Sequence, residues 1–276
     1  MMRHGPALRS GWWRHADRAG LAAAGFLLAL MALSAAAPFL SPYAPDAIDL
    51  ASRRAAPSVA HLFGTDELGR DVCTRVLFGA RVSLAVGLVS ALVAGIVGAL
   101  VGAASGYAGG WVDDLLMRVT DAALAMPRLP LLMIAAAVAR PGLAGLVLLV
   151  GLLGWMEVAR LVRAETQSIR TLDFVTAARA AGAHGLHVVL RHVLPLVAPT
   201  VLVAATLAVA RNILLESALS FFGVGVQPPQ ASWGNMLYQA QTTMATSPWL
   251  ALFPGLAILA TTLALNLLVE ALSPRA

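Results

Sequence analysis

Lysine is absent from this 276-residue chain, and that absence already limits its chemistry. A phosphate-binding loop of the form G-x-x-x-x-G-K-[ST] needs its lysine to reach nucleotide phosphates, so the chain carries no nucleotide engine of that type. Cysteine is nearly as scarce: Cys73 stands alone, which excludes an intramolecular disulfide and any multi-cysteine zinc site. Charged residues amount to 12%, too little polar surface for an ordinary water-soluble domain. What fills the chain instead is aliphatic, with 59% hydrophobic residues and a mean hydropathy of +0.79. Such a composition selects a lipid bilayer as solvent.

A hydrocarbon core about 30 Å thick requires roughly 20 apolar residues per helix. Residues 82–105 and 248–269 meet that length without a charge, and residues 19–40 meet it directly after Arg3, Arg9, Arg14 and Arg18. The last run is longer than a secretory h-region of roughly 7 to 15 residues, and Pro38 follows Ala35, Ala36 and Ala37 where cleavage would fall, so it reads as an uncleaved anchor. Three weaker spans complete the set: 115–139, which contains Arg118, Asp121 and Arg128, and the short runs 141–156 and 193–210. In lipid every backbone polar group must be satisfied within its own element, and no strand alternation is visible. The expected fold is therefore all-α, a polytopic bundle of about six transmembrane helices. It divides into a cytoplasmic segment 1–18 and a single transmembrane domain 19–276.

Every one of the 19 basic residues is an arginine, and the formal charge is +5. Nucleic acid is the usual partner for so basic a chain, but the positive-inside rule accounts for these arginines without one. Arg3 to Arg18 and Arg160 to Arg191 fall on one side of a six-helix alternation, whereas residues 41–81 on the other side balance five arginines against five acids. Both termini are thereby expected on the cytoplasmic side. Within the second span, Gly98, Gly102 and Gly106 place small residues on one helix face, where backbones can approach closely.

The outer segment holds "HLFGTDELGRDVCTRVLFGARVSL", residues 61–84. Thr65 or Asp66 can cap a helix, Asp71 and Arg75 stand four apart, and Val72, Val76 and Ala80 share a face. This pattern describes a helix lying along the membrane surface ahead of the second span, serving either as a structural elbow or as a solute contact.

A second polar stretch interrupts the greasy runs at "DFVTAARAAGAHGLHVVLRHVLP", residues 173–195. It is too polar to span and too regular to be disordered, which points to a helix, a turn at Gly182 and Gly185, and a second helix ending at Pro195. Such a protrusion either seats in a groove on a partner protein or lies among lipid headgroups. His184, His187 and His192 do not share one helical face and adjoin no acidic or cysteine ligand, so no metal site is expected there.

The stretch resembles the EAA loop of ABC importer permeases, a pattern of E-A-A, three residues, Gly and then Leu-Pro. Ala177, Ala178, Gly182, Leu194 and Pro195 match it, and Thr176 replaces the glutamate. The upstream "FGTDELGRDVCTRVLFGARVSL", the downstream "ILLESALSFFGVGVQPPQASWGNML" (213–237) and "PWLALFPGLAILATTLALNLL" (248–268) are similar to the dipeptide and oligopeptide group, in its DppC/OppC-type subunit. The resemblance implies a non-catalytic, binding-protein-dependent importer subunit. Its implied partners are a second permease subunit in a heterodimer, two cytoplasmic ATPase subunits and an external solute-binding protein. ATP and Mg would be bound by the ATPases, and no cofactor by this chain. It further implies that the loop, within 164–195, is a coupling helix, with Thr176, Ala177, Ala178, Arg179, Gly182, Ala183, Leu194 and Pro195 at the ATPase contact. The cargo would be a di- or oligopeptide, or alternatively nickel or another small solute.

Four further features attract attention. Arg128, well inside a hydrophobic span, either faces a water-filled route or snorkels to the interface. Arg211 and Glu216, expected near the outer end of the fifth span, either line the route or anchor the helix end in headgroups. Gly223 and Gly225 precede Pro228 and Pro229 in a turn-rich loop suited to docking or gating. Paired inverted halves are not visible, which weighs against an ion-driven secondary transporter, and no Ser/His pair sits within a span as an intramembrane hydrolase would need.

Overall fold

The computed structural model describes residues 10–272, with side chains from residue 18 onward. The basic cluster Arg3, Arg9 and Arg14 lies outside the described side chains, as does the chain end after Leu272. The first helix, α1 (Ser10–Ala35), absorbs the latter half of the expected N-terminal segment and is followed by the single turn α2 (Ala37–Leu40). Residues 41–71 contain no helix beyond the short 3-10 turn Leu50–Ser52, and then α3 (Val72–Ala108) runs unbroken for 37 residues.

The expected surface helix is therefore absent. Val72, Val76 and Ala80 belong to the membrane helix itself, and their shared face packs on the protein interior around Trp233, Met236 and Leu250. The N-cap of α3 is Asp71, whose carboxylate accepts from Thr74 N at 2.7 Å. Arg75 pairs with Asp66, Nε to Oδ2 3.7 Å, and makes no ion pair with Asp71. A helical period shows that a face is buried; it does not tell lipid interface from protein.

After α3 come α4 (Gly110–Ala125) and α5 (Arg128–Ala139), which meet at 84°. The third expected span is thus broken at Met126 and Pro127, where Pro127 cannot supply a backbone N–H and holds the preceding residue extended. The fourth is longer than expected: α6 (Leu143–Leu152) and α7 (Trp155–Ile169) together form one membrane-length run. The polar insert opens as expected, with α8 (Asp173–Ala180), a turn, and α9 (Gly185–Val188), but its second helix does not end at Pro195: Gly185–Phe221 is one helical run, because a proline in the first turn of the helix that follows gives up no needed N–H. One π turn (Val189–Val193) feeds α10 (Leu194–Phe221), which continues past Pro199 and well beyond the expected end at 210. The short α11 (Trp233–Ala240) and the last span α12 (Trp249–Leu272) complete the bundle. Among the described residues five helices are long and apolar enough to cross a bilayer, six when the bent α4/α5 pair counts as one. The fold is all-α among the described residues, as the composition demanded.

The glycine face of α3 meets α7 directly. A Cβ on Gly98 would lie 2.6 Å from Val158 Cβ, and one on Gly106 2.7 Å from the Arg163 carbonyl oxygen. Small residues here let two backbones touch within one chain. The opposite ends of α3 carry different furniture. Residues 41–71 fold over its N-terminus through Arg70 Nη2 to Gln239 Oε1 (2.9 Å), Arg75 Nη1 to Pro45 O (3.0 Å) and the Phe63/Phe253 stack at 3.9 Å. The polar insert packs beside its C-terminus.

Candidate coupling and transport sites

The insert is held by apolar anchors: Val175, Val188, Val193 and Val197 are buried with Val158, Val162 and Ala103 of α7 and α3. That leaves the other face of α8 uncovered, with Thr176, Ala177 and Arg179 exposed and Ala178 half-buried. Gly182 ends the helix at φ +87°, a left-handed conformation that favours glycine, and its N–H donates to Arg179 O at 2.9 Å. Ala183 and Leu194 pack partly against the core, while Pro195 is exposed at the start of α10. Thr176 Oγ1 reaches only its own helix, at Leu172 O, 3.4 Å. His187 and His192 face each other edge-on, ring centroids 6.1 Å apart.

Tyr107, which sequence reasoning missed, ties the insert to the end of α3. The Arg179 guanidinium lies 4.5 Å from its ring centroid and Nε donates to its hydroxyl at 3.1 Å, while Arg170 Nη1 donates to its carbonyl at 3.2 Å. An aromatic residue two before the Gly109-Gly110 pair was the available signal, but nothing local in the sequence tied it to residue 179.

A second constellation sits where α5, α6 and α10 meet. Arg128 opens α5 and donates Nη2 to the Val150 carbonyl (3.1 Å) and to Asn212 Oδ1 (3.3 Å). Val150 lies in the last turn of α6, whose carbonyls lose their helical partners at the break before α7, so the guanidinium meets the negative end of a helix dipole. The bare backbone of Gly154 makes the room, since a Cβ there would stand 2.8 Å from Arg128 Nη2. Arg128 is therefore spent inside the bundle and does not snorkel. Beside it, Arg211 and Glu157 form an ion pair joining α10 to α7. The pair borders a groove of about 850 Å³ lined by α7, α10 and α12, including Leu161, Pro199, Val203, Leu207 and Asn266.

Glu216 is elsewhere. It is fully buried near the other end of α10, accepting from Ser83 Oγ (3.0 Å) and Ser220 Oγ (2.8 Å). Those hydroxyls accept in turn from Trp233 N and Val226 N, so their protons are committed to the carboxylate. The two residues expected to bracket a helix end are thus separated: Arg211 borders the groove, and Glu216 clamps α3, α10 and α11 together. Gly223 is exposed at φ +79° after α10, whereas Gly225 is buried with no space for a Cβ, which would lie 2.2 Å from Ser220 Oγ. Glu216→Gln turns an acceptor into a donor facing a hydroxyl proton, so it should cost about 1–3 kcal/mol. Thermal unfolding in detergent measures this, and Glu216→Asp should be milder than Glu216→Gln.

Comparison with known proteins fits this architecture. Residues 81–276 match the family described as binding-protein-dependent transport system inner membrane component. The chain belongs to that family. It is 40% identical over 99% of its length to a Brucella suis protein named provisionally as a peptide permease, covering 92% of that relative. It is likewise 41% identical over 96% of its length to the glutathione transport system permease protein GsiD of Salmonella typhimurium, covering 89% of it, and 37% identical to GsiD of Pectobacterium atrosepticum over 96%, covering 90%. The protein is thus an ABC importer permease of the peptide group, a multi-pass membrane component of transport and not itself the catalytic subunit.

Proposed function

We propose that this permease forms one wall of the translocation route for di- or oligopeptides, glutathione-sized cargo included, in the inner membrane of a bacterium. It would assemble as a heterodimer with a second permease, two cytoplasmic ATPases that bind ATP and Mg, and an external binding protein. The near full-length similarity to relatives named for peptide and glutathione transport carries this reading. In it the insert 164–195 and both termini face the cytoplasm, and residues 41–71, at the other end of α3, face the binding protein. The exposed small face of α8 is the ATPase contact, and the buried valines behind it pass ATPase motion to α7 and α10.

Reconstitution of the complete importer in vesicles tests the proposal. ATP-driven uptake of a labelled tripeptide is expected only when both permeases, the ATPases and the binding protein are present. Uptake by this chain alone, driven by an ion gradient, would sink it.

A further inference from the structure

A charge at the middle of a bilayer is tolerated where it meets water or a partner, and such residues mark routes for solutes. Glu157 lies within the Leu143–Ile169 run, about 10 Å before residue 164, where the cytoplasmic insert begins in the proposed reading, at a rise of 1.5 Å per residue. Its ion pair with Arg211 is left open, with the two side chains 47% and 44% exposed toward the groove. A pair that merely fastened α7 to α10 would be better sealed from the groove, as the Glu216 clamp is.

The surroundings favour an acceptor. Arg128 hydrogen-bonds only to the neutral Val150 carbonyl and Asn212 amide oxygen, so with Arg211 and Glu157 it leaves one net positive charge. Among the described residues no acceptor meets Arg128 Nε or Asn212 Nδ2, both buried donors. Those two donors lie behind the groove and not on it; what lines the groove of about 850 Å³, within the usual size of small-ligand sites, is the open Glu157–Arg211 pair itself.

We infer that Glu157 and Arg211 form a charge-reading point on the route, where a peptide's α-carboxylate takes Arg211 and its α-ammonium takes Glu157. This rests on the reading of the chain as a peptide permease. One ion pair is exchanged for two of the same kind, so the solute enters without stranding a charge in the membrane. An open, screened pair of this type is also weak enough to let the solute leave.

The test uses the complete importer in vesicles, with a tripeptide bearing free termini and the same tripeptide as its C-terminal amide. Arg211→Gln should slow uptake of the free tripeptide about tenfold, the loss expected for one hydrogen bond to a charged group. Arg211→Lys should retain most of it. The double variant Arg211→Gln, Glu157→Gln removes both charges without stranding either, and it should remain slow for the free tripeptide while slowing the amide less. Thermal unfolding of each purified complex should stay at the wild-type temperature. Full recovery of free-tripeptide uptake in the double variant would assign the pair to fastening helices, and equal slowing of both cargoes would do the same; either overturns the inference alone. Failure of the wild-type importer to take up any peptide would overturn the peptide reading along with it.

Discussion

An importer carrying Ala177→Arg is expected to insert and fold normally and to lose ATP-driven uptake by at least about a hundredfold, the scale set by a central interface residue. Ala177 is exposed on α8, and the buried Val175 holds the helix from the other side, so an arginine there meets solvent and costs the isolated subunit little. Any loss of transport therefore reports on a contact with another polypeptide, where a long guanidinium would overfill a groove fitted to alanine. Gly182→Pro should have the same functional outcome by another route. Proline fixes φ near −65°, against +87° at this position, and removes the N–H that closes the turn on Arg179 O. Membrane-inserted amount, thermal unfolding and cargo-stimulated ATP hydrolysis are the readouts. Wild-type uptake in Ala177→Arg would remove the coupling role from this face.

Gly102→Leu is expected to do more damage still, because it strikes the fold. A Cβ at residue 102 would lie 2.4 Å from the Ala159 carbonyl oxygen and 2.9 Å from Val162 Cβ. The nearest obstacle is backbone, so no rotamer change relieves the clash and α3 must part from α7 along the whole Gly98, Gly102 and Gly106 face. A cost of at least about 3 kcal/mol is expected, the upper range for overpacking. It should appear as loss of the monodisperse species in detergent chromatography. Gly95→Ala supplies the control on the same helix: its Cβ would meet Ala205 and Val201 at 3.8 Å, an ordinary contact, and the variant should behave as wild type.

These two sites were visible in the sequence for different reasons. The glycine spacing and the alanine-glycine insert are local patterns, and a local pattern survives folding intact. Span boundaries fared less well wherever a charge was taken as a stop. The fifth span was ended before Arg211 because an unpaired arginine is costly in lipid, yet Glu157, 54 positions away, meets it and α10 runs on to Phe221. Arg128 left two alternatives open in the sequence for a related reason: its partner is the carbonyl at the end of α6, a group present in every residue and so silent in any pattern. Glu216 and its two serines come from α3 and α10, 133 positions apart, and only the folded chain brings them within hydrogen-bonding reach. The surface helix failed for a further reason: periodicity in Val72, Val76 and Ala80 records a buried face, and α11 and α12 rather than headgroups bury it.

The unbroken length of α3 has a mechanical corollary. At 1.5 Å per residue its 37 residues make a strut roughly 55 Å long. Its foot is clasped by Arg179 and Arg170 through Tyr107, and its head is wrapped by residues 41–71. With no proline between the two, the helix offers no kink to absorb a tilt, so its two ends would move together. A swing of about 10° displaces one tip relative to the other by about 10 Å, so a nudge at the foot is felt at the head without passing through any chain of side-chain rearrangements.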